Sequence, residues 1–370
     1  MCEKTAHANL RYARGRPRLS HSAGFGSEMK SGTAGDVHEL YITGENKTMN
    51  RKERTLRALQ GLPVDRPPMA FWHHFVGADM EKENFAASHV RFYRETGEDF
   101  IKMMCDGYVA LPDLTVRQPS DWLHIRLPKL SDPFVQEQIV HIKRVREAIA
   151  DETAVFYNMF NTVSTLRSST SDELVYAHLQ ERSPELFAAI DAVNQFKMEF
   201  AQKLVEDAGV TGLFLPMQNN DLHSFTGDCY QELLRPYDRK LIEYANTLSP
   251  YNIIHLCGYW GVRNDLDNWK DFPGAAIHWD VHTDCLSLAE GRAFFTQKKA
   301  VMGGFNNKEG SLIYTGDREA VMAETVDIVR KAGPTGLIIS SDCSLLETID
   351  HRRVHWVAEA LDTLISQEHT

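Results

Sequence analysis

The regular recurrence of short apolar segments limits what this chain can fold into more than any other sequence feature does. Beyond residue 48, eight segments have the length of a strand, and stretches long enough for a helix separate most of them. Strands that alternate with helices predict a parallel sheet, and eight repeats favour a closed barrel over an open sheet. The sequence thus predicts an α/β protein, a single (β/α)8 TIM barrel over residues 49–370. The predicted strands lie at 69–75, 100–105, 154–160, 210–217, 252–257, 275–281, 300–305 and 336–341.

The apolar spacing in the stretches between these predicted strands is that of helices. Residues 184–207 and 317–332 carry apolar side chains at the i, i+3, i+4 spacing of a helix with one buried face. Asn50, with Glu53 three residues later, predicts the beginning of a further helix, which Gly61 can end. The helices that a parallel barrel requires are therefore present in the pattern.

Two regions fit the repeat less well. Residues 1–48 are rich in Gly, Ser, Arg and His and show no sustained apolar period, which predicts a disordered tail. A transit peptide is one alternative, and a true start at Met49 is another. Residues 106–153 are long and rich in proline, and we expect a small hairpin or lid there. An open doubly wound sheet is the fallback fold, but no G-x-G-x-x-G follows the first predicted strand.

Charge, hydropathy and cysteine usage narrow the classes of function. With 40 basic and 51 acidic residues the net charge is −11, which disfavours nucleic acid as a partner. No apolar run of about 18 residues is present, so we expect no membrane-spanning helix. The six cysteines lie far apart, unlike a disulfide framework. A cytoplasmic location follows as the expectation, and there thiolates are available to bind a metal.

The strongest local motif is His-Leu-Cys-Gly at 255–258. Residues two apart on a strand point to the same face, so His255 and Cys257 project together into the barrel and form half of a zinc site. Cys343, at the end of the eighth segment, is the candidate third ligand. Three protein ligands and one open position are typical of a catalytic zinc site. The fifth and eighth strands are not neighbours, so a loop has to bring Cys343 across the mouth; otherwise each cysteine is an ordinary small core residue.

Further polar side chains end other predicted strands, where the reactive groups of a barrel lie. We expect those in the first set to bind the cofactor or the acceptor, although each has a purely structural alternative as a cap or loop contact. This first set is Gln218, Asp280 and Asn306. The second set could support or replace a zinc ligand, and it is His278, His282 and Asp342.

From Asn50 to Leu361 the chain resembles the uroporphyrinogen decarboxylase superfamily. NRKERTLRALQGLPVDRPP is similar to its first helix and turn. HLCG, WDVHTDCLSLAEGR, VMGGFNN and GPTGLIISSDC follow its C-terminal half in order. The resemblance implies the barrel fold over nearly the whole chain after the tail.

The superfamily has a decarboxylase branch and a branch of cobalamin-dependent methyltransferases. The decarboxylases carry R-Q-A-G-R after the first strand and Gly-His-Gly after the last, whereas this chain has FWHHFVGAD and, at the position of the final His, Cys343. The methyltransferases, which include enzymes that methylate coenzyme M, carry His-x-Cys in the fifth strand and a Cys after the eighth. His255, Cys257 and Cys343 match all three positions.

The resemblance therefore implies a methyltransferase that holds Zn²⁺ through these three residues. A methylcorrinoid would be the donor, supplied by a corrinoid-binding partner protein because the D-x-H-x-x-G signature is absent here. The acceptor would be a small molecule, either a thiol or tetrahydrofolate. A decarboxylase acting on a porphyrinogen or another acidic substrate is the first alternative, for which Arg66 and Arg263 are the available cations. A non-catalytic scaffold for a corrinoid protein is the second.

Overall fold

The computed structural model describes residues 48–106, 111, 114–218, 229–258 and 261–366. All but the last residue of the predicted tail at 1–48 lies outside this range. Within it, seven parallel strands form one sheet in sequence order. The strands are β1 Phe100–Met103, β2 Ala154–Asn158, β3 Gly212–Met217, β4 Ile253–Leu256, β5 Gly274–Trp279, β6 Lys298–Phe305 and β7 Leu337–Ser341.

Helices follow nearly every strand, as the alternation predicts. The α-helices are α1 Arg51–Leu59, α2 Phe85–Thr96, α3 Pro133–Ile149, α4 Thr162–Ser169, α5 Asp172–Gln180, α6 Pro184–Lys203, α7 Arg235–Leu248, α8 Val281–Asp284, α9 Leu288–Phe294, α10 Leu312–Thr315, α11 Arg318–Ala332 and α12 His351–Ser366. Shorter turns are 3₁₀ at Gly77–Met80, Pro119–His124 and Leu266–Trp269, and π at Leu204–Ala208 and Cys229–Leu234. None of the described helices is long and apolar enough to cross a membrane.

The predicted helices at 184–207 and 317–332 are confirmed as α6 with its π turn and as α11. The Asn50 side chain caps α1, accepting a hydrogen bond from the Glu53 amide at 2.8 Å. The described part of 106–153 holds a 3₁₀ turn and α3, so the expected hairpin does not form there, and the alternative of a lid stays a prediction. Pro133, one of the prolines of this region, is the first residue of α3, where its missing N–H costs nothing.

The first predicted strand differs from expectation. Residues 69–75 make two isolated parallel bridges toward β7, from Met69 to Ile339 and from His73 to Leu345, instead of a continuous strand. On the other side, the Met69 carbonyl accepts from the Asp99 amide beside β1 at 2.9 Å. This segment thus lies between the two edge strands, and the sheet itself has seven strands instead of the predicted eight.

Buried carboxylates explain why this segment is irregular. The amides of Met69 and Phe71, which would donate to a neighbouring strand, donate instead to the side chains of Asp99 at 2.9 Å and Glu98 at 2.6 Å. Burial raises the pKa of Glu98 well above its usual range. The polar groups of the backbone are satisfied, but by side chains that interrupt a regular ladder.

Asp99 is also the centre of a buried ion-pair network. Its carboxylate is fully buried and accepts from the guanidinium groups of Arg54 and Arg66, both at 2.7 Å. Arg54 belongs to α1 and makes two further bonds of 2.7 Å to Asp65. The network therefore ties α1, the turn after it and the beginning of β1 together.

We expect Asp99→Asn to destabilise the fold strongly. The substitution leaves two buried guanidinium groups facing a neutral amide, and breaking a buried pair in this way costs about 3–5 kcal/mol. Asp362→Asn is the matched control, since Asp362 contacts the same Arg66 but is 63% exposed, which limits the loss to about 1 kcal/mol. Urea denaturation measures both free energies of unfolding. If the two variants lost the same free energy of unfolding, burial of the network would be unimportant for stability.

Candidate functional site

The carboxyl ends of β4 and β7 bring the three predicted zinc ligands together. His255 lies in β4, Cys257 follows its last residue, and Cys343 follows β7. The Sγ atoms of Cys257 and Cys343 are 3.8 Å apart, and Cys343 Sγ is 3.6 Å from His255 Nε2. All three candidate ligand atoms lie within 4.8 Å of one another. The residue after β7 does reach across the mouth of the sheet to the residues of β4.

Backbone contacts explain how each cysteine is placed. The Cys257 amide continues the ladder of β4 by donating to the Met217 carbonyl at 3.2 Å. The next residue, Gly258, has no room for a side chain, because a Cβ there would lie 2.6 Å from Asp280 Oδ2. At the other strand end, the Ser341 hydroxyl donates to the Cys343 carbonyl at 2.6 Å and closes a tight turn.

The distances between the donor atoms fit a tetrahedral ion. Zinc lies about 2.3 Å from a thiolate and about 2.0–2.1 Å from an imidazole nitrogen, so the edges of its tetrahedron are about 3.8 Å for S···S and about 3.6 Å for S···N. The corresponding distances here are 3.8 Å and 3.6 Å. Two thiols and one imidazole are also the donor set that zinc favours. These residues could therefore hold such an ion with one position open.

The two thiols titrate as a pair. The hydrogen bond from Cys257, with help from His255, lowers the pKa of Cys343 well below its usual range. The same contact raises the pKa of Cys257 well above its own, since two thiolates at this separation repel. One thiolate of the pair therefore forms readily, whereas two thiolates this close together repel unless a cation lies between them.

The imidazole of His255 is held in an aromatic setting. It stacks on His278 with 4.5 Å between ring centroids, and the rings of Trp72 and Phe214 contact it from other sides. Burial and the neighbouring His255 lower the pKa of His278 well below its usual value, so that ring is neutral. His255 Nδ1 is buried with no partner within the described residues. With Nε2 turned toward Cys343, the ring presents the nitrogen that a metal would take.

The three residues expected to bind the cofactor or the acceptor differ in how close they lie to the cluster. Gln218 contacts the cluster directly, since its Nε2 lies 3.5 Å from Cys257 Sγ. Asp280 caps α8 by accepting from the Thr283 amide at 2.7 Å, while its other oxygen lies against Gly258. Asn306 accepts from the Lys308 amide at 2.9 Å and so holds the loop after β6, the structural alternative that its position also allowed.

A second polar cluster adjoins Cys343. His282 Nδ1 lies 2.6 Å from Asp342 Oδ2, and with Asp280 these residues form another group whose candidate ligand atoms lie within 4.8 Å. Burial raises the pKa of Asp342 to about 7, and the hydrogen bond to Asp342 raises the pKa of His282. Neither spare imidazole belongs to the first group of candidate ligands: His278 Nε2 is bonded to the Ser341 carbonyl at 2.7 Å, and His282 belongs to the second group.

One residue near the site belongs to none of the motifs found in the sequence. Lys102 of β1 is buried, and its Nζ lies 3.9 Å from the ring centroid of Trp72 and 4.3 Å from that of Phe214. Its signal in the sequence is a single lysine inside the apolar segment FIKMMC. A lysine within a buried strand is uncommon, which makes it a candidate for a functional role.

Fold and site together define an α/β protein with a curled parallel sheet and a His–Cys–Cys cluster at the carboxyl ends of its strands. The family model of uroporphyrinogen decarboxylase (URO-D) matches residues 107–364, and the chain belongs to this family. A comparison with curated proteins found no match.

Two solved structures are similar to the chain at low sequence identity, and the first of them shares its fold. A methyltransferase from Methanosarcina mazei is 17% identical, with a TM-score of 0.73 over 85% of this chain and 99% of that one. A B12-independent methionine synthase from a Shewanella species, solved with selenomethionine, is 12% identical, with a TM-score of 0.49 over 82% of this chain and 93% of that one.

Metal analysis tests the ligand assignment. We expect about one divalent ion per chain in the wild type and a much lower metal content in Cys343→Ser. A catalytic zinc site has three protein ligands, and this variant would keep only two of them. A chelator should lower the melting temperature of the wild type and not that of the variant, because the ion binds only the folded state. Cys285→Ser is the control, since Cys285 is exposed and outside the cluster. Full metal content in Cys343→Ser would refute the assignment.

Proposed function

We propose that this protein is a zinc-dependent methyltransferase that moves a methyl group from a methylated corrinoid protein to a thiol or to tetrahydrofolate. The observation that carries the proposal is the meeting of His255, Cys257 and Cys343 at the spacing of a tetrahedral zinc site. The fold shared with the Methanosarcina mazei methyltransferase makes methyl transfer the first reaction to test. We extend the activity in that protein's name to this chain as part of the proposal.

Zinc, when bound, would lower the pKa of an acceptor thiol and keep it as the thiolate, the form that is nucleophilic. The chain supplies two thiolates and a neutral imidazole, which together balance the charge of a divalent ion. Gln218 donates toward Cys257 Sγ and stabilises its thiolate form. The aromatic rings around His255 keep water away from that side of the site.

The proposed reaction is a displacement at the methyl carbon. The acceptor first gives up its proton to solvent. Its sulfur then attacks the methyl group, a carbon–sulfur bond forms, and the carbon–cobalt bond breaks with its electron pair left on cobalt, which passes from Co(III) to Co(I). The corrinoid arrives on a separate protein that docks over the strand ends, because this chain lacks the D-x-H-x-x-G signature.

Family membership keeps a decarboxylase as the second candidate function. Such an enzyme needs free cations for an acidic substrate, and the sequence offered Arg66 and Arg263. Arg66 is bound to Asp99 and Asp362 beside the amino end of β1. Arg263 donates to the Asp284 carbonyl at 2.7 Å. Arg66 is therefore committed to carboxylates of the chain itself, which favours the methyltransferase.

A spectroscopic assay separates the two functions. With a methylated corrinoid and a thiol, we expect the wild type to produce Co(I) and Cys257→Ala to be at least about 100-fold slower, because metal-derived charge stabilisation is worth several kcal/mol. Cys229→Ala is the control, since Cys229 is outside the cluster. Tetrahydrofolate in place of the thiol tests the second acceptor. Release of CO₂ from a porphyrinogen, without methyl transfer, would instead establish the decarboxylase.

A further inference from the structure

Lys102 carries a positive charge in a place where nothing described neutralises it. It is 5% exposed, and it makes no hydrogen bond or ion pair within the described part of the chain. Asp106, a carboxylate that acts on the Lys102 charge, is already engaged by His74 at 2.7 Å and by the Phe75 amide at 2.9 Å. The two aromatic faces against Lys102 repay only part of the cost of removing an ammonium from water.

The position of Lys102 links it to the candidate metal cluster. The rings of Trp72 and Phe214 that contact its Nζ are the same rings that contact the imidazole of His255. The electrostatic neighbours of Lys102 include the thiols of Cys343 and Cys257. Burial lowers the pKa of Lys102 to about 8, which leaves the ammonium mostly protonated at neutral pH.

We propose that Lys102 is the counter-charge for an anionic ligand at the open position of the His255, Cys257 and Cys343 cluster, and hence the positioning residue that selects a thiolate over a neutral ligand. The inference rests on the proposed function. A divalent ion with two thiolates and a neutral imidazole has no net charge, so an incoming thiolate leaves one uncompensated negative charge. In a poorly solvated interior an ammonium that faces that charge stabilises it substantially.

A second buried lysine provides the comparison that the test needs. Lys197 of α6 is also 5% exposed, and burial lowers its pKa to about 8 as well. Its electrostatic partner is Cys105, and within the described part of the chain it makes no cation–ring contact with Trp72 or Phe214. Lys197→Met therefore removes an equally buried charge at a different place.

The test measures ligand binding to the full chain loaded with Co²⁺, whose absorption spectrum reports the ligands of the ion. We expect Lys102→Met to weaken binding of 2-mercaptoethanol about tenfold or more and to leave binding of imidazole, a neutral ligand, unchanged. Lys102→Arg should retain most of the wild-type affinity, because it keeps the charge. Lys197→Met should behave as the wild type with both ligands.

The outcomes distinguish this inference from the function on which it rests. If the wild type binds neither Co²⁺ nor thiol, the proposed function fails and the role of Lys102 fails with it. If the wild type binds both and Lys102→Met binds 2-mercaptoethanol equally well, only the role of Lys102 is overturned. The same binding measurement is made with 3-mercaptopropionate, a thiol that also carries a carboxylate. If Lys102→Met loses affinity for this thiol only, Lys102 recognises the carboxylate and not the bound sulfur, and its proposed role is overturned.

The melting temperature shows whether the Lys102→Met variant is folded as stably as the wild type. Lysine at this site is costly in the absence of a ligand, so Lys102→Met should melt no lower than the wild type when no thiol is present. A large loss of stability in both Lys102→Met and Lys102→Arg would show that the residue serves packing, and it would overturn the proposal.

Discussion

The joining of β7 to β1 through residues 68–73 is the constraint on which the rest of the molecule depends. Backbone hydrogen bonds connect this segment to Ile339 on one side and to Asp99 on the other. Because the sheet curls far enough for its edges to be linked, the residue that follows β7 lies opposite β4. A flat sheet of the same strand order would keep these strands well apart, since neighbouring strands are about 4.8 Å apart.

The link is made by side chains as much as by backbone. Asp99 and Glu98 each accept an amide of the linking segment, and Asp99 also holds two arginines. Charged groups at the amino end of β1 thus help to hold the two edges of the sheet together. The ion-pair network and the candidate site therefore lie at opposite ends of the sheet, the division that parallel (β/α)8 barrels show between stability and chemistry.

How much the sequence revealed differs between the fold and the site. Alternation of apolar segments located the seven strands of the sheet, and the period of two on β4 placed His255 beside Cys257. The irregular first segment was not predictable from local pattern, because its amides are bound by side chains about 30 residues away. The sequence alone could not establish the reach of Cys343 either, since it follows from the curl of the whole sheet.

Lys102 was missed for a different reason. A search by motif looks for groups of ligands, and a lone lysine within apolar residues belongs to no group. Only the structure shows that it faces the rings packed on His255. Asn306 shows the converse, because a polar residue at a strand end is shown by its contacts to hold a loop.

The donors of the cluster are far apart in the chain: Cys343 comes 86 residues after Cys257. During synthesis on the ribosome, β4 emerges and can fold long before the last donor has been made. For that interval His255 and Cys257 are an incomplete pair with little hold on a metal. If the three residues hold a metal, the complete set of ligands therefore becomes available only after translation has passed β7.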